Sequence, residues 1–213
     1  MTGSAETLAR VVVATQNEGK VREFRELLAG WAVPLASLAG FPPVRFPEEG
    51  GDYRENAAAK ACAAAEQLGE WAIADDSGLE VEALDGGPGP YSARYGGPGL
   101  DSSGRVEHLL AELAERPSAR APTGRRARFV CWAALAAPDG RVELGFGECP
   151  GTILEAPRGE GGFGYDPVFL PQGFQVSMAE LAAETKNEIS HRGRALRALL
   201  GARLRPRAAP AGP

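Results

Sequence analysis

The stretch Trp71-Ala72-Ile73-Ala74-Asp75-Asp76-Ser77-Gly78-Leu79 decides the fold of this chain. Its apolar first half is typical of a buried strand, and two carboxylates, a hydroxyl and a glycine follow directly. This pattern predicts a strand that opens into an active-site loop, and an ordinary Asx-type turn is the alternative. Because neighbouring side chains of an extended chain point to opposite faces, Asp75 and Asp76 cannot both enter one cleft if the strand geometry persists through them. We expect one to bind a metal or activate water and the other to bond to nearby backbone, while Gly78 permits a turn or a close ligand approach.

The composition indicates a globular chain with one large domain or two closely joined lobes. It has 213 residues, of which 44% are hydrophobic and 24% are charged, and these are ordinary values. The formal net charge of −5 argues against a general nucleic-acid binder, because such proteins are usually basic, but it allows a small anionic ligand. The three cysteines are widely spaced without a CxxC pair, which favours reduced thiols in a cytosol over a zinc site.

The two ends of the chain carry no recognisable targeting or membrane segment. Residues 1–9 are polar and lack the apolar core of a signal peptide, and no apolar run approaches the length of a membrane span. Residues 205–213 are rich in Pro, Ala and Gly. We therefore expect a cytoplasmic protein without a membrane partner, with one catalytic domain over residues 10–204 and flexible tails on both sides.

A strand, a polar loop and a helix are predicted at the start of the domain. Residues 10–15 form an apolar, β-branched run, and Asn17 is placed to cap the helix that follows the polar turn. Free N–H groups at a helix start favour an anion, and Lys20 adds a positive charge there. The segment is either a phosphate-binding loop or an ordinary capped helix with a surface lysine. It is not a Walker loop, because the glycines and the Lys-Ser/Thr pair are missing.

Further acidic and basic candidate site residues lie in and just before a predicted alanine-rich helix. Asp52 and Glu55 have the spacing of a capping box, which starts a helix over residues 53–68 that contains Lys60. Glu48 or Glu49, just before this helix, is a candidate metal ligand, with simple solvation as the alternative. Lys60 is either solvated or reaches toward a bound phosphate. Residues 31–47 are predicted to be loop.

The second half of the chain predicts a hairpin and three helices. Val106, Leu109 and Leu113 mark an amphipathic helix, the capping-box match from Ser177 to Glu180 opens a short helix that ends near Lys186, and a final helix follows. Residues 86–97 form a long glycine-proline loop, and such loops in compact domains are often functional. Residues 128–135 read as a strand, residues 138–140 as a turn, and alternating apolar residues follow, which makes a hairpin. Ser190 is placed to cap the final helix.

Five segments with these features occur in a fixed order along the chain. They are Thr15-Gln16-Asn17-Glu18-Gly19-Lys20, Glu55-Asn56-Ala57 with Lys60, Asp75-Asp76-Ser77-Gly78-Leu79, Phe163-Gly164-Tyr165-Asp166-Pro167, and Lys186 followed by Ser190-His191-Arg192-Gly193. In this order the chain closely resembles the inosine/xanthosine triphosphate pyrophosphatase family, also called the Ham1 family. The resemblance implies hydrolysis of ITP, dITP or XTP to the monophosphate and pyrophosphate, with a requirement for Mg²⁺. It also implies an α/β, two-lobed fold around a long mixed central β-sheet flanked by helices, and a homodimer.

The resemblance also assigns roles to individual residues. Asp76 is implied as the catalytic acidic residue, acting as both base and magnesium ligand. Glu48 falls at the second metal carboxylate, although an ambiguity of one residue keeps Glu49 open. The implied phosphate-binding residues are Thr15, Gln16, Asn17, Glu18, Gly19, Lys20 and Ser77. The implied base-binding residues are Phe163, Gly164, Tyr165 and Asp166, completed by Lys186, His191 and Arg192.

The residue types suit this chemistry. Lys20, Lys60 and Lys186 are cations that suit the charge on a leaving pyrophosphate. His191 and Arg192 present N–H donors, which match the 6-oxo group of hypoxanthine and xanthine and leave the 6-amino group of adenine unpaired. Guanine also carries a 6-oxo group, so its rejection needs a second device that the sequence does not reveal. A Maf-like pyrophosphatase for other modified nucleotides and a nucleotide-binding regulator without hydrolysis are the competing functions.

Overall fold

The computed structural model describes residues 9–31, 33–120 and 123–201, so most of both predicted tails lies outside the described residues. The strands are β1 (Val11–Val13), β2 (Leu35–Ser37), β3 (Trp71–Val81), β4 (Pro88–Gly89), β5 (Arg126–Ala136), β6 (Val142–Ile153) and β7 (Phe169–Pro171). The helices are α1 (Glu18–Leu27), α2 (Tyr53–Leu68), α3 (Ser102–Glu115), α4 (Ala183–Ile189) and α5 (His191–Leu200). In the part of the chain that is described, no helix is long and apolar enough to cross a membrane.

One mixed sheet organises these elements, and it confirms the predicted α/β class. The strand order is β2-β1-β3-β5-β6-β7, and β4 pairs with β3 outside this path. The strands β2, β1 and β3 run parallel, whereas β3, β5, β6 and β7 form antiparallel pairs. The predicted hairpin is the pair β5 and β6. The prediction of loop over residues 31–47 is wrong at β2, a three-residue strand too short to show an alternating pattern.

The central strand β3 is longer than the sequence predicts. It does not open into a loop at Asp75, and Asp75 and Asp76 pair with Ala133 and Trp132 of β5. The apolar residues after Gly78 therefore continue the same strand rather than starting another. The strand persists through its polar residues because β5 accompanies it over residues 72–81.

The opposite edge of β3 is open where these polar residues lie. On that edge β1 pairs with residues 71–73 and β4 pairs with residues 79 and 80. No strand of the described chain accompanies residues 74–78 there. The sheet therefore contains a gap at the polar stretch, bordered by the loop after β1 and by the loop that carries β4.

Helices cover the two faces of the sheet with different side chains. On one face the alanines of α2, including Ala57 and Ala61, pack against Ala72 and Ala74 of β3. Small residues on both sides let the helix approach the sheet closely. On the other face α1 and α5 bury Phe24 and other apolar side chains against β1, β3 and β5, and a buried side chain of that size contributes about 1.5–3 kcal/mol.

A third apolar cluster lies beyond the gap in the sheet. It joins Leu109 of α3 to Leu79, Phe129 and Phe169 at the other end of the long strands. The polar residues of β3 therefore lie between two apolar regions, one under α1, α2 and α5 and one under α3. This arrangement leaves room for a cleft at the middle of β3.

Gly78 is required by contact between strands. It lies within β3 rather than at a turn, and a Cβ atom added there would lie 2.1 Å from the carbonyl oxygen of Gly89 and 2.7 Å from the hydroxyl of Tyr53. Real Cβ atoms do not approach other atoms so closely. The expectation of a turn at Gly78 is therefore wrong, and the glycine allows β4 to pair with β3. Gly78 also borders an opening beside Phe163, so a close ligand approach there stays a prediction.

Candidate active site

Asp76 faces α2 and lies beside two side chains of that helix. Its Oδ1 atom accepts a hydrogen bond from Lys60 Nζ at 2.8 Å, and its Oδ2 atom accepts one from Asn56 Nδ2 at 2.9 Å. Burial raises the pKa of Asp76 above its ordinary value, although Lys60 and Asn56 favour the ionised form. The carboxylate is thus held rigidly, and burial makes it more basic than an exposed aspartate.

Lys60 joins Asp76 to the acidic segment before α2. Its Nζ atom also lies 2.9 Å from Glu49 Oε1, and Arg94 lies 3.4 Å from the other oxygen of Glu49. Burial lowers the pKa of Lys60, but Asp76 and Asp75 outweigh this and raise it, so the amine stays charged. Glu48 is exposed, although it borders the same opening. Of these two glutamates, Glu49 is therefore the one that contacts Lys60 directly.

These side chains border a cleft of about 440 Å³, which we call the Asp76 cleft. Its floor is the open edge of β3, and its walls are the loop after β1 and the segment around Ala93. Thr15, Gln16, Asn17 and Ser77 supply neutral polar groups to it. The charged residues that line it are Lys20, Lys60, Arg94, Glu48, Glu49 and Asp76.

Asp75 faces the opposite side of β3 and lies in a buried ion cluster. Its Oδ2 atom lies 2.9 Å from Arg192 Nη2 and 3.1 Å from Lys20 Nζ. Burial opposes ionisation, but Arg192 and Lys20 hold the pKa of Asp75 well below its ordinary value. The expectation that this residue bonds to backbone is wrong, because α1 and α5 bring cations to that face.

Arg192 is the centre of this cluster, and 1% of its surface is exposed. It contacts Asp75, the carboxylate of Glu23 on α1, and the hydroxyl of Ser77 at 2.9 Å. Burial opposes ionisation of Glu23, but Arg192 and Lys186 lower the pKa of Glu23 to about 2. Sequence reasoning missed Glu23, although its position three residues after Lys20 puts it on the same side of α1.

A second opening of about 270 Å³ lies next to this cluster, and we call it the Phe163 cavity. Tyr165 is buried in its wall and donates a hydrogen bond to the carbonyl of Ser92 at 2.9 Å. Asp166 accepts hydrogen bonds from the backbone N–H of Phe163 at 2.8 Å and from Lys186 Nζ at 2.7 Å. These hydrogen bonds fix residues 163–166 as a turn, and the side chain of Phe163 lines the cavity.

His191 forms another part of the wall of the Phe163 cavity. Its ring stacks on Phe129 with centroids 4.7 Å apart, and the helix that it begins is capped by Ser190, as predicted. Burial lowers the pKa of His191 to about 3, so the imidazole is neutral. Its Nδ1 atom is buried and has no hydrogen-bond partner among the described residues.

The Asp76 cleft and the Phe163 cavity are continuous. Asn17, Lys20, Ser77 and Ala93 line both of them. Distant loops of the sequence thus meet in one pocket, acidic and basic at one end and partly aromatic at the other. Of the residues predicted for the pocket, most of those before α1 and around residues 163–166 line it directly.

Three of the residues predicted to bind substrate do not contribute a side chain to the lining of the pocket. Glu18 lines a groove on the outer side of α1 rather than the pocket. Gly19 contributes space, since an added Cβ atom would lie 3.0 Å from the ring of Phe163. Lys186 does not line either opening and acts through its contacts with Glu23 and Asp166. Sequence reasoning quoted Asn56 within a motif segment but gave it no role. It also gave no role to Phe129 and Arg105, because single residues inside regular strands and helices carry no local motif.

The neutral state of His191 predicts a pH dependence of stability. Its pKa is about 3 in the fold against 6.5 ordinarily, so the unfolded chain binds the extra proton and stability falls as the pH drops below about 6.5. The loss for this one group is at most about 1.4 kcal/mol for each pH unit. We expect the urea concentration at the midpoint of unfolding to decrease in the original protein as the pH is lowered from about 6.5 to about 5. The fall is expected to be smaller in His191→Gln, and equal falls would contradict the assignment.

The fold and the pocket together define an α/β protein in which cations surround a buried carboxylate beside an aromatic cavity. The model of the Ham1 family matches residues 11–202, and the chain belongs to this family.

Named relatives and a solved structure agree with this membership. The dITP/XTP pyrophosphatase of Deinococcus deserti is 55% identical over 196 residues, which cover 91% of this chain and 88% of that protein. The dITP/XTP pyrophosphatase of Deinococcus radiodurans is 52% identical over 203 residues, covering 94% and 96%. The structure of a HAM1 protein from Coxiella burnetii has a TM-score of 0.77 at 39% identity, and the match covers 88% of this chain and 94% of that one.

Proposed function

We propose that this protein hydrolyses non-standard purine nucleoside triphosphates (dITP, ITP and XTP) to the nucleoside monophosphate and pyrophosphate. The observation that carries the proposal is the continuity of the Asp76 cleft with the Phe163 cavity. A triphosphate fits the charged end and a purine fits the aromatic end. Membership of the Ham1 family and the names of the Deinococcus relatives support the same reaction.

The phosphates bind where α1 begins. Asn17 caps this helix by accepting from the backbone N–H of Lys20, and the remaining free N–H groups favour an anion. Lys20 and Lys60 line the cleft, and Arg94 adds a third positive charge at its rim. These cations stabilise the charge that grows on the pyrophosphate as it leaves.

Asp76 activates the attacking water. Its carboxylate lines the cleft, is held by Lys60 and Asn56, and has a pKa that burial raises. It accepts a proton from water as the water oxygen bonds to phosphorus, and the bond from that phosphorus to the oxygen that bridges the α- and β-phosphoryl groups breaks. Asp75 has no part in this proton transfer, because it lies on the other face of β3 in contact with Arg192.

The carboxylates of the cleft fit Mg²⁺ bound together with a substrate. Asp76 and either Glu48 or Glu49 would hold it, and no group of three or more acidic, histidine or cysteine ligands occurs in the described ranges. Mg²⁺ commonly uses one or two carboxylates and completes its shell with phosphate oxygens and water. When bound, it neutralises phosphate charge and makes the phosphorus more electrophilic.

The Phe163 cavity recognises the base. Phe163 stacks on the purine, and neutral His191 can present an N–H donor from its unpartnered Nδ1 atom to a 6-oxo group. Arg192 has five N–H donors, and its contacts with Asp75, Glu23 and Ser77 use four of them. One donor is left for the base. Adenine is disfavoured because its 6-amino group would face these donors.

Five further properties belong to this proposal. The acidic net charge and the three free thiols support a cytoplasmic protein that does not act on nucleic acid. We also propose a homodimer, in line with the resemblance, and a single catalytic domain of two lobes, in line with the apolar clusters on both sides of the pocket. We propose that it has no membrane partner.

The test is release of pyrophosphate from a panel of nucleotides with and without Mg²⁺. We expect turnover of dITP, ITP and XTP in Mg²⁺, at least about a hundredfold above ATP in kcat/KM, and loss of turnover with EDTA. Preferred turnover of dUTP or 7-methyl-GTP would instead indicate a Maf-like enzyme. Tight binding of ITP with no pyrophosphate released would indicate a regulator.

A further inference from the structure

Arg105 is a cation of the Phe163 cavity to which neither the family motifs nor the proposed reaction gives a role. It lies on α3, and its Nε atom is buried without a hydrogen-bond partner. Its guanidinium makes no ion pair with any described residue. Because buried donors in folded proteins are normally paired, an unpaired guanidinium that faces a cavity points to a ligand group that completes it.

The position of Arg105 restricts which part of a nucleotide it meets. It lines the Phe163 cavity but not the Asp76 cleft, so it is away from the phosphate end. Burial raises the pKa of the Tyr165 phenol and the charge of Arg105 opposes this, so the guanidinium lies within electrostatic reach of Tyr165 in the cavity wall.

The acids of the cavity do not neutralise Arg105. Glu23 and Asp166 also line it, but Glu23 is bound to Arg192 and Lys186, and Asp166 is bound to Lys186 and the Phe163 backbone. Their charges are therefore matched by other cations. The positive charge of Arg105 is left to act on the ligand.

The purines differ at the 2-position in a way that a guanidinium can distinguish. Hypoxanthine has only a hydrogen at this carbon, xanthine has an oxygen, and guanine has an amino group. Arginine donates hydrogen bonds and accepts none. Xanthine also loses a ring proton near neutral pH, which places negative charge on this edge and strengthens a hydrogen bond from a cation.

We propose that Arg105 is a specificity-determining residue that contacts the 2-position edge of the purine. It favours xanthine through its 2-oxo group, leaves hypoxanthine unaffected, and disfavours guanine because two donors would face each other. This inference rests on the proposed function and adds to it the device that excludes GTP. It acts independently of His191 and Arg192, which face the 6-oxo group.

The test compares kcat/KM for XTP, ITP and GTP, with dITP as a control for the ribose, in Arg105→Gln, Arg105→Lys and the original protein. In Arg105→Gln we expect the XTP/ITP ratio to fall by about tenfold or more and the GTP/ITP ratio to rise. Arg105→Lys keeps the charge and is expected to retain more of the XTP preference. Arg116→Gln is the matched control, because Arg116 lies next to the same helix, is exposed and pairs with Glu112. It should leave both ratios unchanged.

A second measurement covers the case in which Arg105→Gln folds poorly. Inhibition by the products XMP and IMP is compared between the original protein and Arg105→Met, which removes the donors and the charge, since product binding reports base recognition without turnover. Equal inhibition ratios in the two proteins would overturn the inference. Weaker inhibition by XMP relative to IMP supports the inference.

Several results would overturn this inference and leave the proposed function standing. They are an XTP/ITP ratio that does not change, an equal loss on all three substrates, or a change confined to ITP against dITP, which would place Arg105 at the ribose. In each case the original protein still releases pyrophosphate from ITP. Failure of the original protein to hydrolyse any of these nucleotides would instead defeat the proposed function.

Discussion

Replacing Asp76 by asparagine is expected to lower kcat for ITP by about a thousandfold or more. The substitution keeps the size of the side chain but removes the group that accepts the proton of the attacking water. Asn56 and Lys60 surround this position, so the pocket retains its shape and its phosphate-binding cations. Pyrophosphate release measures the loss, and calorimetry with ITP is expected to show that nucleotide binding persists.

A matched control for this prediction is Asp139→Asn, because Asp139 is an exposed carboxylate in the turn before β6 and contacts Arg141. It should leave kcat unchanged. Unchanged turnover in Asp76→Asn would remove Asp76 from the mechanism. A large drop of the melting temperature in Asp76→Asn would mean that the loss reports folding, so melting curves are recorded for both variants.

Replacing Arg192 by methionine is expected to destabilise the fold by about 3–5 kcal/mol. Arg192 is buried between Asp75 and Glu23, and its removal leaves two carboxylates in a dry environment with fewer cations. Urea unfolding measures the change in free energy. The consequence for function is that any loss of ITP discrimination in this variant has to be measured well below its melting temperature.

Two controls separate the ion cluster from a general effect of arginine removal. Arg128→Met removes an exposed arginine that pairs with Glu80 and Glu148, and surface pairs contribute at most about 1 kcal/mol. Adding Asp75→Asn to Arg192→Met removes one of the uncompensated charges and is expected to recover part of the stability. A cost for Arg192→Met no larger than that of Arg128→Met would refute the structural role of the cluster.

Local features of the sequence predict the elements that border the pocket. Asn17, Asp52 and Ser190 accept hydrogen bonds from the first turns of α1, α2 and α5, as their positions before those helices indicate. These interactions join residues three apart in sequence, so a local pattern contains them. The alternation of side chains along β3 likewise separates Asp75 and Asp76, as predicted.

The sequence does not reveal which distant side chains meet these elements. The strand β3 continues through its polar residues because β5, more than fifty residues later, pairs with it. Asp75 pairs with Arg192 at a sequence separation of 117 residues, and Glu23 joins the same cluster from α1. Partners of this kind depend on how α1 and α5 pack on the sheet, and no local pattern encodes that packing.

The strand β3 also acts as a partition. The acid that meets the substrate and the acid that anchors α5 are joined by one peptide bond but leave the sheet in opposite directions. Exchange of the α2 residues that hold Asp76 therefore alters proton transfer first, whereas exchange of the residues that hold Asp75 alters the anchoring of α5 first. Over evolutionary time, a lineage can retune proton transfer on one side of this single strand while the ion cluster on the other side keeps α5 in place.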